Sequence, residues 1–336
     1  MAYAPLLDRR AFVAGVAATG AAAFGRRSFA ADAPTIFQIT YRGETDVERG
    51  FKDYFAQRGI DVNIIHRSAE LDPANVPAIL EEVREVQPDL VYTWGTPVTI
   101  GTFGRAADAD PSLHISDVPG VFTMVSAPVR SGVVPDRSSS GRNITGTSHV
   151  VPPEPQIRAM QTYRAFQKLG VLYTPTEQNS KAIVGALQAL AGPMNFSLLE
   201  RTFPIGDDGR PSADTAAELV AELAAEGAQW LYYLPDTFLS SNINSVAPVA
   251  TELGLPGFSA VERLQNDALI SLVSRYYSLG QLTAFKAEQI LFEGVSPSDI
   301  PIETLQRFAL IINMPLAREL GLYPPLGMLS YANVLT

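Results

Sequence analysis

Few residues in this chain have a chemistry that could be put to work. There are three histidines, His66, His114 and His149, and no cysteine. The histidines lie far apart and form no metal-ligand pattern with carboxylates. Without cysteine there is no disulfide, thiolate metal site, cysteine nucleophile or lipid-anchor cysteine. A G-x-S-x-G elbow, a phosphate loop and a dinucleotide fingerprint are also missing. Neither metal nor cofactor is therefore expected, and what remains suits binding better than turnover. Asn179 and Ser180 follow an apolar run and a proline (VLYTPTEQNS), where a helix should begin. Either side chain can cap that helix, and the free N–H groups at its positive end suit a carboxylate. Asp236 stands in a similar place after QWLYYLP, where its carboxylate can face a cleft or cap the next helix. Tyr41, Trp94, Tyr232, Tyr233, Tyr276 and Tyr277 can wall a ligand or fill a core.

These loops need a frame, and the hydrophobic pattern predicts one. Strand-like runs at residues 35–41, 61–66, 89–94 and 118–125 alternate with helical patterns. An extended segment at 143–150 opens a second series, with strands near 169–173, 196–203, 229–234, 256–259, 268–274 and 308–312. Helices are expected between them, among others at 155–168, 213–226, 238–253 and 279–292. Alternation on this scale predicts an α/β chain with parallel sheets covered by helices, built twice over. Three strand ends share one chemistry: Gly95-Thr96-Pro97, Thr174-Pro175 and Pro235-Asp236-Thr237. Ligands of open α/β sheets sit beyond the carboxyl ends of the strands. Two such sheets facing each other would make a cleft lined by these loops.

The chain has 336 residues, 46% of them hydrophobic, which is enough for two cores. Its formal charge is −10, and the arginine-bearing first 30 residues leave the remainder more acidic still. That balance disfavours nucleic-acid backbones and anionic membrane surfaces as partners. At the N-terminus, Arg9-Arg10 precedes an uncharged, Ala- and Gly-rich segment, then Arg26-Arg27 and Ser28-Phe29-Ala30-Ala31. This order resembles a twin-arginine export signal over residues 1–30, cleaved after Ala30, and implies a periplasmic location.

Several stretches together resemble the family of bacterial ABC-transporter substrate-binding proteins that includes tryptophan- and tyrosine-binding lipoproteins. They are Asn143-Ile144-Thr145-Gly146, residues 170–180, Pro235-Asp236-Thr237, Tyr276-Tyr277-Ser278-Leu279-Gly280, residues 294–305, Ile312-Asn313 and residues 317–322. The resemblance implies a type I periplasmic-binding fold with two Rossmann-like lobes and a ligand cleft between them. One lobe would hold residues 31–147 and 276–306, the other 148–275 and 307–336. The first would contribute the loop after strand one, with Tyr41, Arg42 and Thr45, together with Thr96 and the Ser126-Ala127-Pro128 loop. The second would contribute Asn179, Ser180, Asp236 and Thr237. Where the family usually has Asp-Pro-Val-Gly, this chain has Ala127-Pro128-Val129-Arg130.

The expected function is that of a monomeric solute-binding protein delivering a small carboxylate-bearing ligand, an aromatic amino acid or similar, to an ABC transporter permease. In an amino-acid complex Asp236 would accept the ammonium and the Asn179-Ser180 helix start would donate to the carboxylate. Arg42 or Arg130, facing the cleft, would instead favour a second acidic group. The alternatives are a sensor subunit presenting the ligand to a membrane receptor, and an α/β enzyme.

Overall fold

Strand β1 (Thr35–Thr40) lies inside the first sheet, and Ile36, Phe37 and Ile39 are fully buried, as a parallel strand covered on both faces requires. The computed structural model, which describes residues 33–336, places β1 between β2 (Asn63–Ser68) and β3 (Leu90–Trp94). Beyond β3 come β4 (Gly120–Thr123) and β5 (Ile144–Gly146). Every pairing in this sheet is parallel. The connecting helices are α1 (Asp46–Arg58), α2 (Val76–Val86) and α3 (Thr96–Phe103). A reciprocal Thr45–Glu48 capping box starts α1, and Gly59 in left-handed conformation ends it.

The second lobe continues with α4 (Pro153–Tyr163), β6 (Lys168–Tyr173), α5 (Gln178–Ala191), β7 (Ser197–Thr202) and α6 (Ala216–Ala225). Then come β8 (Trp230–Tyr233), α7 (Thr237–Ser241), α8 (Ala247–Glu252), β9 (Gly257–Ser259) and β10 (Ile270–Val273). After α9 (Tyr276–Leu291), the chain ends with β11 (Ala309–Asn313), α10 (Met314–Glu319), α11 (Leu326–Leu329) and β12 (Asn333–Leu335). The strands form one sheet in the order β12-β11-β10-β9-β8-β6-β7. It is parallel except that β11 runs against β10. Its core is the larger of the two, with Trp230, Tyr232, Tyr233 and Phe258 fully buried.

Helix α9 does not stay with the second sheet. It packs on α1 of the first lobe, and the two helices touch backbone to backbone. A Cβ on Gly280 would overlap the Val47 carbonyl, and one on Gly50 the Tyr277 carbonyl. Only glycine permits that approach. The chain then returns to the second lobe past its own outgoing segment. Thr147 and Glu303 form a parallel bridge, and Ser148 N donates to the Glu303 carbonyl at 2.8 Å. Buried Lys286 on α9 donates to the Pro301 carbonyl and to Glu303 Oε2, both at 2.6 Å. The Thr147 hydroxyl joins Thr123 and Thr283 at 3.0 and 2.8 Å.

The structure corrects the sequence reading in several places. The expected helix over 238–253 is two helices, because Pro248, which has no N–H to donate, sits in the first turn of α8. The helix expected to reach residue 168 ends at Tyr163, and Lys168 already belongs to β6. Neither Asn179 nor Ser180 caps α5: Glu177 is its N-cap residue, and both lie inside the first turn. Strand β12 was not expected, and the reversed direction of β11 departs from the all-parallel reading. The expected export signal lies outside the described residues.

Candidate functional site

Between the carboxyl ends of the two sheets is a cavity of about 250 Å³. The first lobe lines it with Arg42 and Thr45 from the β1–α1 loop, Trp94 at the end of β3 and Thr96 at the start of α3. Met124 and Ser126 follow β4, His149 comes from the segment that leaves this lobe, and Tyr276 opens α9. Gly95 makes the β3–α3 turn at φ +88°, and Met124 holds φ 56°, a left-handed conformation that a non-glycine residue adopts only under constraint.

Three polar atoms on this wall have no partner among the described residues: Arg42 Nε, Trp94 Nε1 and His149 Nδ1. The Arg42 guanidinium lies over the Trp94 ring, 4.8 Å from its centroid. Burial, and next the repulsion of Arg263 across the cavity, push the Arg42 pKa down. His149 meets the Tyr276 ring edge to face at 6.3 Å. Burial first, then Arg42, pushes His149 down to about 3, so the imidazole is neutral.

The second-lobe wall is built differently. Asp236, 1% exposed, accepts four hydrogen bonds. Its Oδ2 takes Thr174 N at 2.7 Å and Ser180 Oγ at 2.8 Å, and its Oδ1 takes Thr174 Oγ1 at 3.0 Å and Leu239 N at 2.8 Å. A carboxylate offers about four lone-pair sites, so none is left over. Glu177 reaches across from the end of β6 to accept from Thr237 N and Phe238 N at 3.0 Å. Burial, and next the charge of Asp236, hold its pKa above the ordinary carboxylate range. Asn179 Nδ2 donates to the Pro235 carbonyl at 2.7 Å and to Glu177 at 3.1 Å. Two acids thus fasten the start of the short helix α7. The remaining lining acid of this wall, Glu262, pairs with Arg275 at 2.8 Å and accepts from Tyr276 N at 2.5 Å.

Of the residues predicted from sequence, Arg42, Thr45, Thr96, Ser126, Asn179, Asp236 and Thr237 line this cavity. Ser180 does not: it is fully buried, with its hydroxyl directed to Asp236. Tyr41 faces a neighbouring outer chamber of about 890 Å³ and donates to the Leu71 carbonyl at 2.5 Å. Its pKa is pushed up to about 12, chiefly by burial. Arg130 is not at the cavity either; its Nη1 donates to the Ala182 carbonyl of α5 at 2.9 Å. That contact and the Arg210–Asp72 pair at 3.3 Å connect the lobes away from the chain crossings. The sequence reading missed Arg263 and Glu177, and it did not place His149 at the site. Arg263 was findable, because it follows strand β9 as Thr96 follows β3, and the same strand-end rule applies. Among the described residues no group of three His, Asp or Glu side chains is arranged to hold a metal ion.

Comparison with known proteins agrees with this architecture. A crystal structure of an ABC domain in complex with L-Trp from Streptococcus pneumoniae superposes with a TM-score of 0.77 at 22% identity, covering 90% of this chain and 100% of that one. A conserved domain protein from Vibrio cholerae gives 0.78, also at 22% identity, over 90% and 99%. The fold is thereby the type I periplasmic-binding fold. In sequence, the chain is 26% identical over 268 residues to the tyrosine-binding protein of Clostridioides difficile, covering 79% of this chain and 71% of the relative. The model of the ABC transporter substrate binding protein family matches residues 38–334, and the chain belongs to that family.

Proposed function

We propose that this protein is the soluble receptor of an ABC importer. It captures a small carboxylate-bearing organic molecule between its lobes, closes on it, and presents it to a membrane permease. The observation that carries this reading is the cavity itself, lined from one lobe by half-buried Arg42 and by Trp94 and His149, each with an unpartnered polar atom, and from the other lobe by the hydrogen-bonded Asp236 wall. Unpartnered buried polar atoms are costly, and a bound polar molecule would relieve them. The relatives named for tyrosine and L-Trp make a ligand of amino-acid size the natural starting point. Turnover is not part of this reading: among the described residues no serine or threonine hydroxyl hydrogen-bonds His149, and the two that reach Asp236, from Thr174 and Ser180, are buried in the second lobe and do not line the cavity. No described helix is long and apolar enough to cross a membrane. The export signal read at residues 1–30 supports a periplasmic location, the net charge of −10 disfavours nucleic-acid partners, and we read the protein as a monomer.

Native mass spectrometry of protein purified from its own periplasm tests this reading. A single co-purifying small molecule is expected, with a smaller radius of gyration by X-ray scattering when it is bound. Protein that carries nothing, and whose radius no small molecule changes, would rule the reading out. Replacing Arg9 and Arg10 with lysine should abolish export, read by cell fractionation.

A further inference from the structure

Resting on the cleft reading above, the chemistry of the cavity narrows the ligand. We propose that the ligand is a small organic anion with no ammonium group, an aryl or short-chain carboxylate held by Arg42, and not an α-amino acid.

An α-amino acid needs an anionic acceptor for its ammonium, and each carboxylate in the buried part of the cavity is either saturated or already paired with a cation. Asp236 already accepts four hydrogen bonds from within its own lobe. Glu262 accepts one hydrogen bond on each oxygen, from Arg275 and from the Tyr276 amide, and its charge is already balanced by the Arg275 guanidinium at 2.8 Å. The third lining carboxylate, Asp46, lies at the rim, 56% exposed and paired with Arg49 at 3.2 Å. In that setting it attracts an ammonium weakly.

Donors, in contrast, are in surplus. Arg42 Nε and Trp94 Nε1 are N–H groups without partners, and both are buried. Nδ1 of neutral His149 carries an N–H in one of its two tautomers. Two guanidiniums, Arg42 and Arg263, line the same space and repel each other. An anion placed between them would remove that repulsion and satisfy the orphan donors through charge-assisted bonds. The apolar faces of Trp94, Met124, Val261 and Tyr276 leave room for an aromatic or short alkyl body.

Matched pairs of probes test the inference, because each pair differs only in the amine. Calorimetry would compare 3-(4-hydroxyphenyl)propionate with L-tyrosine, and 3-(indol-3-yl)propionate with L-tryptophan. In at least one pair the amine-free acid should bind ten-fold or more tightly than its amino acid. Arg42→Gln should weaken that binding at least ten-fold, while circular dichroism and melting show an intact fold. Tighter binding of the amino acid in either pair would overturn the proposal and leave the cleft reading standing, as would a cationic or zwitterionic ligand found by native mass spectrometry. If no probe binds, an amine-free anion recovered from the periplasmic protein still supports the proposal. No binding by any probe, with nothing recovered, would remove both.

Discussion

The two walls of the cleft both carry polar side chains and behave in opposite ways. On the second-lobe wall, Asp236, Glu177, Asn179 and Ser180 use their hydrogen-bonding capacity on one another and on nearby backbone. On the first-lobe wall, Arg42, Trp94 and His149 keep polar atoms that nothing in the described protein satisfies. A satisfied network holds its loops in one geometry; an unsatisfied one has something to gain from a visitor. The comparison teaches that a buried acid near a ligand cavity can belong to the scaffold, and that the residues to watch are those left wanting.

The largest expected effect comes from breaking the satisfied wall. Asp236→Ala strips acceptors from Thr174 N, Leu239 N and the Ser180 hydroxyl, all buried. It should cost roughly 3–5 kcal/mol in urea unfolding, since each orphaned donor carries its own desolvation penalty. Asp236→Asn, which keeps part of the acceptor capacity, should cost less. If Asp236→Ala instead leaves stability intact and abolishes binding, the two walls have been assigned the wrong way round.

His149 gives the next effect, through pH. It titrates near 3 in the fold but near 6.5 in an unfolded chain. Between those values the unfolded chain binds the extra proton, so stability falls as pH drops below 6.5, by up to about 1.4 kcal/mol per pH unit. His149→Phe should remove that slope, measured as the difference in unfolding free energy between pH 7 and pH 5. An unchanged slope would mean that another group is responsible.

Trp94→Phe should be milder. It removes an indole N–H that has no partner, so stability should change by about 1 kcal/mol or less. Trp94 is one of two tryptophans, and Trp230 is fully buried in the other lobe, where it donates to the Arg164 carbonyl. Ligand-induced fluorescence change should therefore vanish in Trp94→Phe and persist in Trp230→Phe. The smallest effect on stability is expected from Arg210→Ala, which breaks an exposed pair worth about 0–1 kcal/mol. Its signature should be a larger radius in scattering without ligand, because that pair bridges the outer chamber from lobe to lobe.

Much of this was legible from the chain. The alternation of apolar runs and helical patterns predicted two parallel α/β lobes, because burial on both faces leaves a mark several residues long. The Thr96, Asp236 and Thr237 loops were legible because proline and small polar residues break strands visibly. Other features leave no such mark. Strand β12 is three residues long, too short for a period, and the FALII run of β11 carries no sign of its direction. The cap that Asp236 gives to Leu239 N was legible as a local pattern, but its contacts with Thr174 and Ser180 were not, because no local pattern encodes a meeting of residues more than 50 positions apart. Ser180 was misplaced for the same reason. The roles of His149 and Arg263 arise only when two lobes face each other.

The contact of α1 with α9 has a consequence for how the protein is made. Tyr54 on α1 donates to Glu288 on α9 at 2.6 Å, across 234 positions of sequence. At ribosomal speeds of 5–20 residues per second, α1 waits roughly 10–50 s for the helix that covers it. During that interval the Val47 carbonyl and the flat strip at Gly50 that α9 covers are bare, and the second sheet still lacks β11 and β12. Neither half of the molecule is a finished folding unit while the chain is emerging. A nascent chain stopped before residue 276 should be protease-sensitive throughout and should bind holdase chaperones, while the full-length chain should gain resistance in both halves at nearly the same time.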